Sequence, residues 1–155
     1  MLGSPDDQHF LIEQASLIAR SYLRLLNRPL LPGECGTEAF ANALFHAPFA
    51  VVSHNTDSDP LFNYANAKAL ELFEMDWNEF IRMPSRLSAE PVNRQERERL
   101  LALVTEQGYI DHYQGVRISK TGKRFMIRNA VVWNLADDSG EYKGQAACFS
   151  DWEFL

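Results

Sequence analysis

The chain has 155 residues, a formal net charge of −6 and a pI of about 5.2, with 46% hydrophobic and 23% charged residues. This length and composition are typical of one globular domain with a buried core. The acidic balance disfavours nucleic-acid binding, which requires excess positive charge, and no apolar run or signal-peptide pattern predicts membrane association.

The two cysteines, Cys35 and Cys148, are far apart in sequence and do not have the spacing of a metal or redox motif. Two free thiols are typical of a reducing compartment, so we expect a cytoplasmic protein.

Residues 1–37 are predicted to form an N-terminal helix and a connector. Met1–Asp7 reads as a leader whose Asp6 or Asp7 is available to cap a helix over His9–Asn27. That helix has an apolar stripe, which either packs on its own domain or pairs with a second copy of the chain. Prolines and glycines in Arg28–Thr37 end the helix. The stripe consists of Leu11, Ala15, Ile18, Tyr22 and Leu25.

Residues 38–155 are predicted to form the main domain. Its first part alternates short helices and strands, with Asn66 and Asp76 as helix caps, a capping box at Asn93 and a C-terminal stop at Gly108. Its second part is a meander of three antiparallel strands, which must bury one face under the helices. The predicted helices are Glu38–Phe45, Ala67–Glu74, a turn carrying Trp77 and Phe80, and Arg94–Gln107; the predicted strands are Phe49–His54, Leu61–Tyr64, Ile110–Ser119, Arg124–Leu135 and Tyr142–Trp152.

The order strand, strand, helices and three strands is that of a PAS domain, an α+β fold with a five-stranded antiparallel sheet and helices on one face. The passage Tyr64–Phe73 is similar to the PAS strand-to-helix transition, in which an Asn caps the first inner helix. The segment Gly144–Trp152 is similar to the last PAS strand. This resemblance predicts a PAS-like, five-stranded antiparallel sheet with helices on one face and an additional N-terminal helix.

Four further segments resemble the MEKHLA domain, a PAS-related module found in stand-alone bacterial proteins and in plant class III homeodomain–leucine-zipper factors. The resemblance covers roughly residues 8–155, and it implies the stand-alone bacterial type. The segments are Leu61–Asn66, Pro84–Pro91, Tyr113–Ser119 and Val131–Leu135.

The sequence does not indicate an enzyme. The four histidines, His9, His46, His54 and His112, lack metal-site spacing, and no nucleophile elbow or phosphate-binding glycine loop is present. Comparison with PAS relatives disfavours haem, because the helix Arg94–Gln107 has no His, and a flavin–thiol adduct, because residues 61–107 contain no Cys. The identity of any cofactor stays unknown.

Strand alternation suggests where a ligand could bind. A two-residue hairpin at Thr121-Gly122 would place Phe125, Trp133 and a polar cluster on the helix-covered face. This cluster of His112, Gln114 and Asn129 either satisfies itself or binds a small ligand, with Phe125, Trp133 and Trp77 as walls. A glycine bulge at Gly122 would shift the register and remove the cluster.

Two arginines are additional ligand candidates. Arg86 and Arg94 either anchor an anionic ligand or form ion pairs with Glu90 or Asp76. On the last strand, either Gln145, Ala147 and Phe149 or Ala146, Cys148 and Trp152 face inward.

The sequence therefore predicts a small-molecule-sensing or protein-interaction module of PAS type. Because it ends at Leu155, soon after the last strand, we expect no attached effector and an output through association. A homodimer is expected through the N-terminal helix and the outer sheet face, on which Tyr113, Arg117, Met126 and Arg128 are predicted to lie. The alternatives are a small metabolite-binding enzyme that uses His112 and a purely structural dimerisation domain.

Overall fold

The structure, a computed structural model, describes residues 7–155, in which one antiparallel sheet carries helices on both faces. The strand order is β2-β1-β5-β4-β3, and β6 continues beside β4. The leader residues 1–6, including the proposed cap Asp6, lie outside the described residues. The helices are α1 (Gln8–Leu26), α2 (Glu38–Phe45), α3 (Ala67–Phe73), α4 (Trp77–Phe80) and α5 (Pro91–Gln107), with a 3₁₀ turn at Ser85–Ser88; the strands are β1 (Ala50–His54), β2 (Phe62–Ala65), β3 (Tyr109–Ile118), β4 (Arg124–Ala136), β5 (Tyr142–Phe149) and β6 (Asp151–Phe154).

Most predicted elements and caps are confirmed. Asp7, Asn66 and Asp76 accept hydrogen bonds from the first turns of α1, α3 and α4, and Gly108 ends α5 with a φ of +97°. The predicted capping box at Asn93 is wrong: α5 begins at Pro91, whose fixed φ suits the first helical position. The predicted last strand is interrupted at Ser150, which separates β5 from β6.

The two faces of the sheet contact different helices. On β4, the Asn134 side chain donates to the carbonyl oxygen of Val104 on α5, at 3.1 Å. The neighbouring Trp133 instead donates from its indole nitrogen to the carbonyl oxygen of Ile18 on α1, also at 3.1 Å. We call the side toward α5 the inner face and the side toward α1 the outer face.

The apolar stripe of α1 is buried within its own domain. Leu11, Ala15, Ile18 and Tyr22 are all buried, and the Tyr22 ring packs edge-on against Trp133 with centroids 4.9 Å apart. Of the two interpretations of this helix, packing on its own domain is therefore the one in the structure, since the stripe covers the outer face of the sheet.

The β3–β4 hairpin has a longer loop than the predicted two-residue turn. The Ser119 amide donates to the Lys123 carbonyl oxygen at 2.9 Å, and the Gly122 amide donates to the Ser119 carbonyl oxygen at 3.1 Å. Gly122 has a φ of +90°, the left-handed conformation of a glycine bulge. Arg117 therefore pairs with Phe125, where the two-residue turn would have placed Ile118.

Two further bulges interrupt the same strand pair. His112 on β3 and Asn129 on β4 have φ values of +57° and +54°, and the register shifts by one residue at each. The two shifts cancel, because the pair Ile110–Val132 and the pair Gly115–Ile127 belong to the same strand register. On β4 the bulge reverses which residues face inward, so Ile127 lines the inner side while Trp133 contacts α1.

Asn66 connects three elements through one fully buried side chain. Its Oδ1 accepts hydrogen bonds from the amides of Val51 at 3.0 Å and Ala69 at 3.2 Å. Its Nδ2 donates to the carbonyl oxygens of Leu44 at 3.1 Å and Phe49 at 2.7 Å. The side-chain amide thus forms hydrogen bonds with the C-terminal end of α2, with β1 and the residue that precedes it, and with the first turn of α3.

Replacing Asn66 with alanine should destabilise the fold by at least about 3 kcal/mol, because the loss of a helix cap is combined with buried backbone groups left unsatisfied. The free energy of unfolding in urea measures this loss. Thr37→Ala is the matched control, because Thr37 caps α2 at its surface and its loss should cost only about 1 kcal/mol. Equal losses in the two variants would contradict the connecting role of Asn66.

Candidate functional site

The predicted polar cluster does not face the helices. His112, Gln114 and Asn129 are exposed, and the His112 Nδ1 lies 3.5 Å from the Asn129 Oδ1 at the surface. The prediction of an inward-facing cluster is wrong, because the Gly122 bulge and the bulges at His112 and Asn129 change the register. His112 and Gln114 instead border an open groove of about 640 Å³ between α5 and β3.

The predicted aromatic walls are buried in three different places. Phe125 lies on the inner face with its ring 5.3 Å from that of Phe73, while Trp133 is on the outer face against α1. Trp77 packs between Phe10 and Tyr64. The structure therefore does not bring the three rings together around one ligand.

The two candidate arginines are not in a shared pocket. Arg86 forms an ion pair with Asp59, with Nε 3.1 Å from Oδ1, rather than with Glu90 or Asp76. Arg94 is half-buried and donates from Nε to the Ala89 carbonyl oxygen at 3.1 Å.

The structure places a cavity of about 50 Å³ between the inner face, α3 and α5. The cavity is lined from β5 by Gln145, Ala147 and Phe149. Of the two predicted placements of this strand, the one in which these three residues face inward is therefore the one in the structure. Most of the wall is apolar and comes from Phe62, Phe73, Leu100, Ile127, Val132 and Phe149. Polar groups reach this cavity from β3, α5, β1 and β5.

Tyr113 and Arg117 of β3 line the cavity and are buried. The prediction that they form an outer contact surface is wrong, because the hairpin register turns them inward. An Arg117 guanidinium nitrogen donates to the Tyr113 hydroxyl at 3.2 Å, and another donates to the Val116 carbonyl oxygen at 2.8 Å. Gly115 between them provides the room, since a Cβ at that position would lie 2.3 Å from the Tyr113 hydroxyl.

Arg97 enters the cavity from α5 and is only 7% exposed. Within residues 7–155, its side chain has neither a hydrogen-bond partner nor a carboxylate oxygen within 4.0 Å. Burial, and then the neighbouring charge of Arg117, lower the pKa of the Arg97 guanidinium to about 10. Arg97 therefore remains charged at neutral pH, and the charge of Glu98 offsets only part of the lowering of its pKa.

His54 lines the cavity from the end of β1 and is 7% exposed. Its Nδ1 is 2.9 Å from the Asn55 carbonyl oxygen, an acceptor, so Nδ1 carries the hydrogen. Its Nε2 is buried without a partner among the described residues. Burial is the main cause that lowers the pKa of the imidazole, and the charge of Arg97 lowers it further. The neutral ring thus offers an acceptor nitrogen that a donor on water or on a ligand would satisfy.

Gln145 joins the cavity to α5. Its amide nitrogen lies within 3.1 Å of the carbonyl oxygen of Leu101, the hydroxyl of Thr105 and the side-chain oxygen of Asn134. A change in the cavity at Gln145 would therefore reach the helix and the neighbouring strand directly.

The polar groups that line the cavity are guanidinium, imidazole, phenol, hydroxyl and amide groups. In residues 7–155, no set of three His, Cys, Asp or Glu side chains is placed to bind a metal. Burial raises the pKa of the Cys148 thiol to about 12, so it is not activated as a nucleophile. No helix in these residues is long and apolar enough to cross a membrane.

Sequence reasoning missed Arg97, Arg117, His54 and Gln145 as cavity residues. Arg97 lies in a run of alternating charges that reads as a solvated helix face, and Arg117 falls on the wrong face when the hairpin is given a two-residue turn. The available signal was the loop sequence itself, because a five-residue loop at Ser119–Lys123 turns Tyr113 and Arg117 inward.

This sheet with its inner helices and inner cavity defines a PAS-type domain, and solved structures share the fold. A PAS domain from Colwellia psychrerythraea superposes with a TM-score of 0.63 at 13% identity, covering 76% of this chain and 95% of that one. A light-oxygen-voltage domain studied with a flavin analogue superposes with a TM-score of 0.60 at 17% identity, covering 76% of this chain and 84% of that one. The light-state dimer of the fungal photoreceptor Vivid superposes with a TM-score of 0.58 at 16% identity, covering 84% of this chain and 91% of that one.

Comparison of the amino-acid sequence with known families identifies the family of this chain. The profile of the MEKHLA domain matches residues 12–154, so this chain belongs to the MEKHLA domain family. It is also 27% identical over 125 residues to homeobox-leucine zipper protein HOX29 from Oryza sativa subsp. indica and subsp. japonica. The matched region is 76% of this chain and 14% of each rice protein, so the chain resembles one domain of a much longer protein.

The neutral state of His54 predicts a pH-dependent stability. In the unfolded chain the imidazole takes up a proton near its usual pKa of about 6.5, whereas the folded site disfavours the charged ring. The unfolded state then binds more protons, so the free energy of unfolding should fall as the pH drops through 6.5 toward the lower folded pKa, by at most about 1.4 kcal/mol per pH unit.

His54→Gln isolates this contribution, because glutamine is polar but does not titrate. The free energy of unfolding of both proteins is measured in urea at several pH values between 7.5 and 5.5. As the pH falls, the native chain should lose more stability than the variant. Parallel pH profiles for the two proteins would contradict the assignment.

Proposed function

We propose that this chain is a small-molecule-sensing domain, whose ligand occupies the inner cavity and alters the contacts of the surrounding elements. The observation that carries the proposal is a cavity lined by the buried cation Arg97, which has no carboxylate oxygen within 4.0 Å, and by the His54 Nε2, a buried atom without a hydrogen-bond partner among the described residues. Such groups are costly to bury unless a ligand or water satisfies them. A purely structural domain would gain stability by filling this space with apolar side chains.

The Gln145 network supplies a route from the cavity to the surface of the domain. Gln145 lines the cavity and bonds to Leu101 and Thr105 of α5, and Thr105 is exposed. A ligand that competes for the Gln145 amide would change the packing between α5 and the sheet. Sensing by population shift requires this kind of differential contact between the free and bound states.

Flavin is not the ligand we propose, although one structural neighbour was studied with a flavin analogue. A cavity of about 50 Å³ has room for only about three to five water-sized groups. A three-ring isoalloxazine exceeds this volume several-fold, so the free domain would have to open α5 away from the sheet to admit it.

The enzyme alternative, with His112 as the reacting group, has weaker support. His112 lies at the surface near Asp111 and Asn129 and does not line the cavity. Its replacement by alanine should therefore leave ligand-induced stabilisation unchanged, whereas loss of a measured turnover in that variant would favour the enzyme.

The sensing proposal predicts that a compound fitting the cavity raises the melting temperature, because binding to the folded state alone stabilises it. A thermal-shift screen followed by native mass spectrometry measures this. Ala147→Leu fills the cavity from β5 and should abolish the response. Ala102→Leu on the exposed side of α5 is the size-matched control and should respond like the native chain. A response that survives Ala147→Leu would refute binding in this cavity.

We also propose that the chain forms a homodimer through the part of the outer face that α1 leaves uncovered. Val116, Ile118 and Met126 are only half-buried there, and a structural neighbour, Vivid, was solved as a dimer. The α1 stripe is already buried in its own domain, so the helix itself is a weaker candidate for the interface.

Sedimentation at micromolar concentration should show a dimer that Ile118→Lys shifts toward monomer, because a buried lysine opposite its own copy repels. Leu23→Lys is the control on the exposed side of α1, where Leu23 is 47% exposed. A native chain that sediments only as monomer would remove the proposal, and dissociation by Leu23→Lys alone would move the interface to α1.

A further inference from the structure

We infer that the inner cavity recognises a short-chain carboxylate, whose charged group lies between Arg97 and Arg117 and whose apolar end lies toward the sheet. This inference rests on the proposed function, because it assigns a ligand class to the same cavity. It goes further in predicting that charge, and not shape alone, determines which molecule is bound.

The charges in the cavity are the first argument. Arg97 and Arg117 are 7% and 9% exposed, both line the cavity, and each lowers the cost of binding an anion there. Neither guanidinium has a carboxylate oxygen within 4.0 Å in the described part of the chain. Buried cations are ordinarily paired with an acid, because removing a charge from water is expensive. A bound anion would place a negative charge directly beside the two guanidinium groups, which no carboxylate of the described residues does.

The two arginines differ in how they are positioned. Arg117 is fixed by its bonds to the Tyr113 hydroxyl and the Val116 carbonyl oxygen, and its guanidinium lies 5.5 Å from the Tyr113 ring centroid. Arg97 has no such bonds, so its donors are free to bind a ligand. A planar guanidinium matches a carboxylate with two parallel hydrogen bonds, which favours Arg for this recognition.

The size and lining of the cavity narrow the ligand. About 50 Å³ accommodates about three to five water-sized groups, which is the size of acetate or propionate. The walls beyond the arginines are Leu100, Ile127 and Phe149, which would bury an aliphatic end. Inorganic phosphate has no apolar end to bury and a larger hydration cost, so the carboxylate is favoured over it.

The test compares ligands of one shape and different charge. Isothermal titration and thermal shift with sodium propionate, propionamide, sodium phosphate and sodium chloride are performed at constant ionic strength. Propionate should raise the melting temperature in a saturable manner, whereas propionamide, its neutral isostere, and chloride should not. Equal effects of propionate and chloride would overturn the inference, because they would show a general salt effect, and a preference for phosphate would overturn the carboxylate assignment.

Variants locate the binding. Arg97→Met and Arg117→Gln should each weaken propionate binding at least tenfold, whereas Arg99→Gln, on the exposed side of the same helix, should bind like the native chain. Without ligand, Arg97→Met should melt at or above the temperature of the native chain, because it removes a buried charge that has no carboxylate oxygen within 4.0 Å among the described residues. A ligand-free melting temperature well below the native one would show that Arg97 has a structural partner, and would refute the inference.

The outcomes also separate this inference from the proposed function. If propionate and propionamide bind equally and Ala147→Leu abolishes both, the cavity is a ligand site that does not select charge, and only the inference fails. If no carboxylate binds and no other compound in the wider screen responds, both fail. If propionate binds but Ala147→Leu leaves it unaffected, the arginines are not the site and the cavity loses its assigned role.

Discussion

The register of the β3–β4 hairpin is the constraint on which the candidate site depends. In a strand, neighbouring residues face opposite sides, so a shift of one residue exchanges the faces of every side chain. The five-residue loop from Ser119 to Lys123 sets the frame in which Tyr113 and Arg117 point inward. Glu74 at the end of α3 fixes the loop, because its carboxylate accepts hydrogen bonds from Ser119 at 2.8 Å and Thr121 at 2.7 Å. Those bonds hold the pKa of the Glu74 carboxyl below its usual value.

The outer layer, formed by α1, gives the sheet its second cover. The largest aromatic group of the outer layer, Trp133, is fully buried against Tyr22 and bonds to the Ile18 carbonyl oxygen. The inner side carries the buried polar groups that line the cavity.

The sequence predicted the elements well and the site poorly, for one physical reason. Helix caps are local, so Asn66, Asp76 and Gly108 could be identified from a few neighbouring residues. Strand faces are not local once bulges occur, because each bulge reverses the alternation that follows it. The bulge at Asn129 therefore buries Phe125 and Trp133 on opposite faces, although their spacing predicts one face. The exposed positions of His112, Gln114 and Asn129 follow from the same effect.

The sequence by itself determined the order of helices and strands, the PAS-type architecture and the membership in the MEKHLA family, since these depend on periodicity, turn chemistry and motif order. Only the tertiary structure decided which charged residues are inside. Arg97 belongs to a run that is mostly solvated, and its burial results from the packing of α5 against the inner face of the sheet. Arg117 is inward because the loop shifts the pairing of β3 with β4 by one residue relative to a two-residue hairpin. Burial of a charge is a property of packing between distant segments, and no local pattern encodes it.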